Sequence, residues 1–395
     1  MQPLIKLANK NEKFVVGLMS GTSMDGIDAA LVNIKNNGSD TEIDLINFQT
    51  FPYPDQLRDE LLKISQPGQG SVDKICRLNF VVGEYFADAV LELCKQSNIN
   101  VSYIDLIGTH GQTIHHLPDS IRYLNKTIRS TLQIGEPAVV ANRIGCITVA
   151  NFRSADMAQG GQGAPLVPYF DYIIFNSKQF NRVILNIGGI ANITILKKNS
   201  TVSNVLAYDT GPGNMVVNAL MKILYNKEYD EDGVVALMGT ISDELLTSLL
   251  QHSFFKKPIP KSTGRAEFGK PFVEQILAAN NKLKLKPEDI IATVTELTAR
   301  TIAQSLKFSQ LPIDEVDQLI MSGGGIYNKA IIHSLSEYFF NSEILLTDDF
   351  NINGDAKEAI CFAVLANETI AGFPTNLPSV TGAKTPTILG SIYFT

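Results

Sequence analysis

Gly21-Thr22-Ser23-Met24-Asp25-Gly26-Ile27-Asp28 gathers glycines, hydroxyls and carboxylates in one short stretch. Glycine has no Cβ, so backbone N–H groups there can come close to a ligand. Together with the Thr22 and Ser23 hydroxyls they suit phosphate oxygens. Asp25 and Asp28 would repel bare phosphate, which points to a bridging Mg²⁺. The same residues also make an ordinary hairpin turn, and this stretch alone leaves both readings open.

Further segments carry candidate chemistry. His110, Gln112 and Thr113 lie in 104–116, where a short buried strand runs into a polar loop at its carboxyl end. The loop reads either as a sugar-binding loop or as a turn with solvated histidines, and this segment alone leaves both open. A metal site is disfavoured there, because no carboxylate or thiolate stands at ligand spacing. Glu136 precedes Pro137 and either caps a helix or faces a ligand hydroxyl. Arg153 and Asp156 lie in a glycine-rich loop, 151–165, of a length that is usually functional or disordered. Asp171 is alone among apolar residues of 165–175. Loss of water there suits a general base; the alternative is an acid satisfied by a backbone N–H or an Arg. Gly188 and Gly189 repeat the opening design of strand, glycine turn and strand. Asp209, Gly211 and Gly213 lie between a strand and a helix start, where amides attract anions and Asp209 could hold water on Mg²⁺; the alternative is a capped helix start. Gly323, Gly324 and Gly325 follow a strand and would let a flat adenosine approach. Asp355 and Glu358 share a face at a helix N-terminus, where a purely structural role is the plain alternative.

The elements that must position these groups follow from periodicity. Strands are expected at 14–20, 26–32 and 42–50, then near 131–134, 144–150, 182–187, 190–196, 205–207 and 318–321. Apolar residues at helical spacing predict helices over 55–65, 71–96, 215–224, 240–252, 270–281, 288–308 and 354–366. The 395 residues are too many for one ordinary core, so two domains are expected. A net charge of −7 argues against a nucleic-acid partner. Cys76, Cys94, Cys146 and Cys361 form no ligand cluster and read as reduced, cytosolic thiols. No apolar run reaches membrane-spanning length, so a cytoplasmic protein is expected.

The motifs occur in an order that resembles the acetate and sugar kinase, heat-shock cognate and actin superfamily. MSGTSMDGIDAALV, GTHGQTIHH, QIGEPAVVA, VANFRSADMAQGGQGAPLVPYFD, LNIGGIANIT, YDTGPGN, STGRAEFG, SGGG and DAKEA occur together between Phe14 and Gly382. This set resembles the anhydro-N-acetylmuramic acid kinases. The resemblance implies an α/β protein with two ribonuclease-H-like (actin-like ATPase) domains flanking an ATP cleft. They would cover residues 1–148, joined by 383–395, and 149–382. It implies a bacterial kinase of peptidoglycan recycling. The enzyme would open the 1,6-anhydro ring with water, phosphorylate O6 from ATP, and release ADP. Asp171 would be the catalytic base and Glu358 would sit near the sugar. Gly21 to Asp28 and Gly188–Gly189 would be phosphate loops, and Gly323 to Gly325 would border adenosine. The resemblance also suggests a homodimer. Two other readings stand beside it: an ordinary sugar kinase without hydrolysis, and an ATP-driven switch.

Overall fold

The computed structural model describes residues 2–395. They form two compact units: the chain up to Ile173 together with Asn351–Thr395, and Ile174–Phe350. The expected division at 148/149 therefore falls inside the first unit. The reason is the anchoring of the segment that follows. Buried Asp156 accepts hydrogen bonds from Asn376 (2.8 Å) and Thr381 (2.6 Å), which ties residues near it to the C-terminal segment.

The first unit opens with β1 (Glu12–Ser20), β2 (Gly26–Lys35) and β3 (Glu42–Pro52), an antiparallel meander. Helix α1 (Val72–Gln96) buries Val82, Phe86, Val90 and Leu93 against it. Ser71 caps α1 by accepting from Lys74 N. Next come β4 (Leu106–Tyr123) and β5 (Lys126–Ile134). The expected polar loop after residue 108 is thus a strand. Gly111, at φ +73°, and a bulge between Thr113 and His115 keep its polar side chains in register with β5. Then follow α2 (Pro137–Ile144), β6 (Thr148–Ala150), α3 (Phe152–Ala158) and α4 (Val167–Phe175). The glycine-rich segment is therefore only partly loop, since α3 occupies its first half. Asp156 explains the change: its Oδ2 takes the Gly163 N–H at 2.7 Å and folds the glycines back onto the helix.

The second unit repeats the plan. β7 (Arg182–Ile187), β8 (Ile190–Leu196) and β9 (Leu206–Pro212) form a meander, followed by α5 (Asn214–Tyr225) and α6 (Pro287–Ser305). β10 (Gln318–Ser322), α7 (Lys329–Tyr338) and β11 (Glu343–Leu346) complete it. The chain then returns to the first unit as α8 (Lys357–Ala371) and β12 (Ser391–Tyr393).

The sheet orders are β12-β6-β4-β1-β2-β3 and β11-β10-β7-β8-β9. In each, a parallel strand pairs with the first strand of the meander. That is the ribonuclease-H-like topology in duplicate, the fold of actin-like ATPases. β1 is nearly continuously buried because both of its faces are covered. On one face α8 lies directly on backbone: a Cβ at Gly17 would stand 1.8 Å from Ala359 O, and one at Gly108 2.1 Å from Phe362 O. Among the described residues no single helix is long and apolar enough to cross a membrane.

Candidate active site

In the first unit the β1–β2 turn presents Thr22, Ser23 and Asp25 to solvent, while Met24 and Ile27 point inward. Ser23 Oγ donates to Asp25 Oδ1 at 2.8 Å. Gly26 packs where a Cβ would stand 2.5 Å from Phe51 O. The turn is held from behind by Gln112. Its Nε2 donates to Gly21 O at 3.0 Å and its Oε1 lies 2.7 Å from Ser20 Oγ. Gln112 is fully buried, so the side chain expected to face a sugar is instead a strut of the turn. Asp28 accepts from Thr50 Oγ1 at 2.6 Å. Burial raises its pKa, against that hydrogen bond, and the charges of Asp25 and Asp355 push the same way.

A second group assembles from α3, α4 and α8. Asp171, on α4, is buried and its Oδ1 lies 2.6 Å from Nζ of Lys357, which is equally buried. The acid is therefore satisfied by a lysine, a partner that sequence reading did not weigh. Glu358 follows at the N-terminal end of α8 and is solvent-accessible. Protein nonetheless surrounds it densely enough to raise its pKa, an effect opposed by the Arg153 guanidinium and increased by Asp28. Arg153 Nε donates to His110 Nε2 at 2.9 Å, and Nη1 donates to Gly163 O at 2.7 Å. The other ring nitrogen of His110 lies 2.9 Å from Gly111 O. A carbonyl only accepts, so Nδ1 carries the proton and Nε2 presents its lone pair to Arg153. Burial, then Arg153, holds the His110 pKa well below its usual value. Burial also brings Arg153 down to about 10.

Glu136 caps α2: its carboxylate accepts from Ala138 N at 3.2 Å and Asn79 Nδ2 at 3.0 Å. Of its two expected roles, the geometry supplies the cap. Thr113, half-buried on β4, accepts from Gln133 Nε2 at 3.2 Å.

In the second unit Gly188 and Gly189 form the β7–β8 turn. Their carbonyls accept from the amides of Asn214 (2.8 Å) and Gly213 (2.9 Å) at the start of α5. A Cβ on Gly213 would stand 2.3 Å from Gly188 O, so glycine is required for this contact. Gly211 fits beneath Phe255. Asp209 accepts from Thr263 N at 2.7 Å, and burial pushes its pKa up to about 6. It is thereby committed to the polar loop at 261–269. Gly323, at φ +83°, turns β10 toward Gly324 and Gly325. Gly324 borders a cavity of about 460 Å³, lined also by Asn214, Asn218, Asp230, Tyr327 and Asn328. That volume falls in the range of small-molecule sites. Lys357 and Tyr327 were not singled out in the sequence. A lone lysine entering an apolar helix was the signal for the first, and an aromatic after three glycines for the second.

The anhydro-N-acetylmuramic acid kinase profile matches residues 13–395. The chain is 45% identical to the anhydro-N-acetylmuramic acid kinase of Caldanaerobacter subterraneus subsp. tengcongensis, over 99% of this chain and 100% of that one. It is 44% identical to the enzyme of the same name from Salinibacter ruber, over 99% of each chain. The chain belongs to the anhydro-N-acetylmuramic acid kinase family. It is therefore a kinase. Among solved structures, the activator of 2-hydroxyisocaproyl-CoA dehydratase from Clostridium difficile aligns over 90% of this chain and 95% of its own. The identity is 15% and the TM-score 0.44, which adds nothing to the topology already described. For a metal the donor set is lean: among the described residues no three His, Cys, Asp or Glu side chains are grouped to hold one. Asp25, exposed at its turn, suits a Mg²⁺ held mainly by phosphates and water. Asp209, already accepting from Thr263, suits it less.

Proposed function

We propose that this family member converts 1,6-anhydro-N-acetylmuramic acid, ATP and water to N-acetylmuramic acid 6-phosphate and ADP. It would do so in the cytoplasm, as a homodimer, in peptidoglycan recycling. The observation that carries the reading is the buried Asp171, held 2.6 Å from Lys357 with Glu358 beside that lysine. A carboxylate fixed in this way can accept a proton from water.

In the proposed reaction, water attacks the anomeric carbon as Asp171 takes its proton. The bond from that carbon to O6 breaks, and O6 bonds to the γ-phosphorus as ADP leaves. Arg153, aimed by His110, and Glu358 orient the sugar. The Gly21–Asp28 turn of the first unit and, taken by itself, the Gly188–Gly189 turn of the second each carry glycine amides of the kind that hold phosphate oxygens, where most catalysis of phosphoryl transfer resides. Gly324 and Tyr327 border the space we assign to the nucleoside. Mg²⁺, held at Asp25 through water, would neutralise phosphate charge.

Turnover in ¹⁸O-labelled water tests the reading. Label on the anomeric oxygen of the product is the expected result. Phosphorylation of a free sugar hydroxyl with no label incorporated would make this an ordinary sugar kinase and refute the proposal.

A further inference from the structure

We infer that Lys357 is a positioning residue for the reaction, its ammonium fixing both the charge and the aim of the Asp171 carboxylate. The inference rests on Asp171 being the base. Nothing in the packing of α8 asks for a cation at this place. Lys357 is the first residue of the helix, where the macrodipole is positive and favours acids. Its side chain is only 7% exposed, and burying an ammonium is costly. The rest of α8 from Ala359 to Ile370 is buried and mostly apolar, so a methionine would suit the local packing better. A lysine that helix electrostatics and burial both disfavour is explained by what stands 2.6 Å away.

The other charged and titratable groups near the pair do not replace it. From α8 these are Glu358, which is itself an acid, and Cys361. Burial, then Asp171 and Glu358, raises the Cys361 thiol well above its usual range, so it remains uncharged. From α3 comes Arg153, which is engaged with His110 and Gly163. From α4 itself Tyr169 lies 3.5 Å from Glu368. Lys357 is thus the cation in direct contact with the acid. Without it, the carboxylate would be buried with no cation in contact, and burial disfavours the charged form that a base must have.

The pH dependence of kcat, measured on purified Lys357→Met, Lys357→Arg, Asp171→Asn and the Lys357→Met/Asp171→Asn double variant, tests this. For Lys357→Met we expect the acid limb to move up by about one pH unit or more. Turnover at pH 7 falls about 10- to 100-fold and partly recovers at high pH, with each KM within about threefold of wild type. Lys357→Arg returns the limb to within about half a unit of wild type. The double variant, which removes both charges, keeps the wild-type circular dichroism spectrum and shows that the site tolerates their loss. An unmoved acid limb in a folded Lys357→Met, with Asp171→Asn inactive, overturns the role of Lys357 alone. Wild-type turnover in Asp171→Asn instead overturns the base assignment. If Lys357→Met does not fold, an acid limb in Lys357→Arg displaced as far as predicted for methionine overturns the inference.

Discussion

Gly17 and Gly108 are register partners across the parallel strands β1 and β4, and together they make a bare patch on which α8 rests. Ala359, Ala363 and Ala366 of α8 meet the two glycines. These alanines recur at helical spacing on one face, so small residues on both sides let helix and sheet backbones touch. The contact fixes the height of the N-terminal end of α8, and with it Lys357 and Glu358.

Gly17→Ala places a methyl only 1.8 Å from Ala359 O. Overpacking of this kind destabilises by about 1–3 kcal/mol. Thermal unfolding should show a lowered Tm, and turnover should fall with ATP affinity unchanged. An unaltered Tm would mean that α8 does not press on β1.

The burial of His110, and after it the pairing with Arg153, gives stability a pH dependence. Between the depressed folded pKa of His110 and its ordinary 6.5, the unfolded chain binds a proton that the folded one refuses. The contribution is complete above pH 6.5 and is lost as pH falls below it, by about 1.4 kcal/mol per pH unit. His110→Gln removes this slope from denaturant titrations between pH 6.5 and 5. If Arg153 orients the sugar as proposed, the substitution also raises KM for the sugar about tenfold, by loosening Arg153. A slope unchanged by the substitution would contradict the neutral tautomer assigned to His110.

Asp171→Asn keeps the shape of the side chain and removes the carboxylate proposed as the base. Turnover falls by about 10²–10⁴-fold, with nucleotide affinity within about twofold, as read by steady-state kinetics and calorimetric titration of ADP.

Gly324→Val separates the nucleoside reading from a purely structural one. The nearest neighbour of a new Cβ there is Asn214 Nδ2 at 3.7 Å, so the fold tolerates it. The side chain enters the 460 Å³ cavity, and KM for ATP rises about tenfold or more with Tm nearly constant. An unchanged KM would remove Gly324 from the proposed nucleotide site. Gly325→Val is the contrasting case: its Cβ would stand 2.2 Å from Ile187 Cγ2, so it unfolds the turn instead.

The glycine turns and the acid in an apolar run could be read from residue order. Glycine turns flanked by apolar runs located both hairpins, because a turn that admits no Cβ leaves its mark in one residue type. Asp171 stood out because an acid in an apolar run is rare. Two local readings were altered by contacts distant in the chain. The 110–116 segment pairs with β5, more than ten residues away, and so is strand. Residues 152–158 are helix because Asp156 is bonded by Asn376 and Thr381.

Sequence by itself determined the duplicated strand–turn–strand plan, the family, and the residue types available for chemistry, since these depend on local pattern and motif order. Only tertiary structure decided their division of labour. It made Gln112 a strut, Glu136 a cap and Asp209 a clamp on a loop, and it set Lys357 against Asp171. Such roles depend on which buried polar group must be satisfied by which other. That requirement acts between residues as far apart as Asp171 and Lys357 or Asp156 and Thr381, and no spacing along the chain records it.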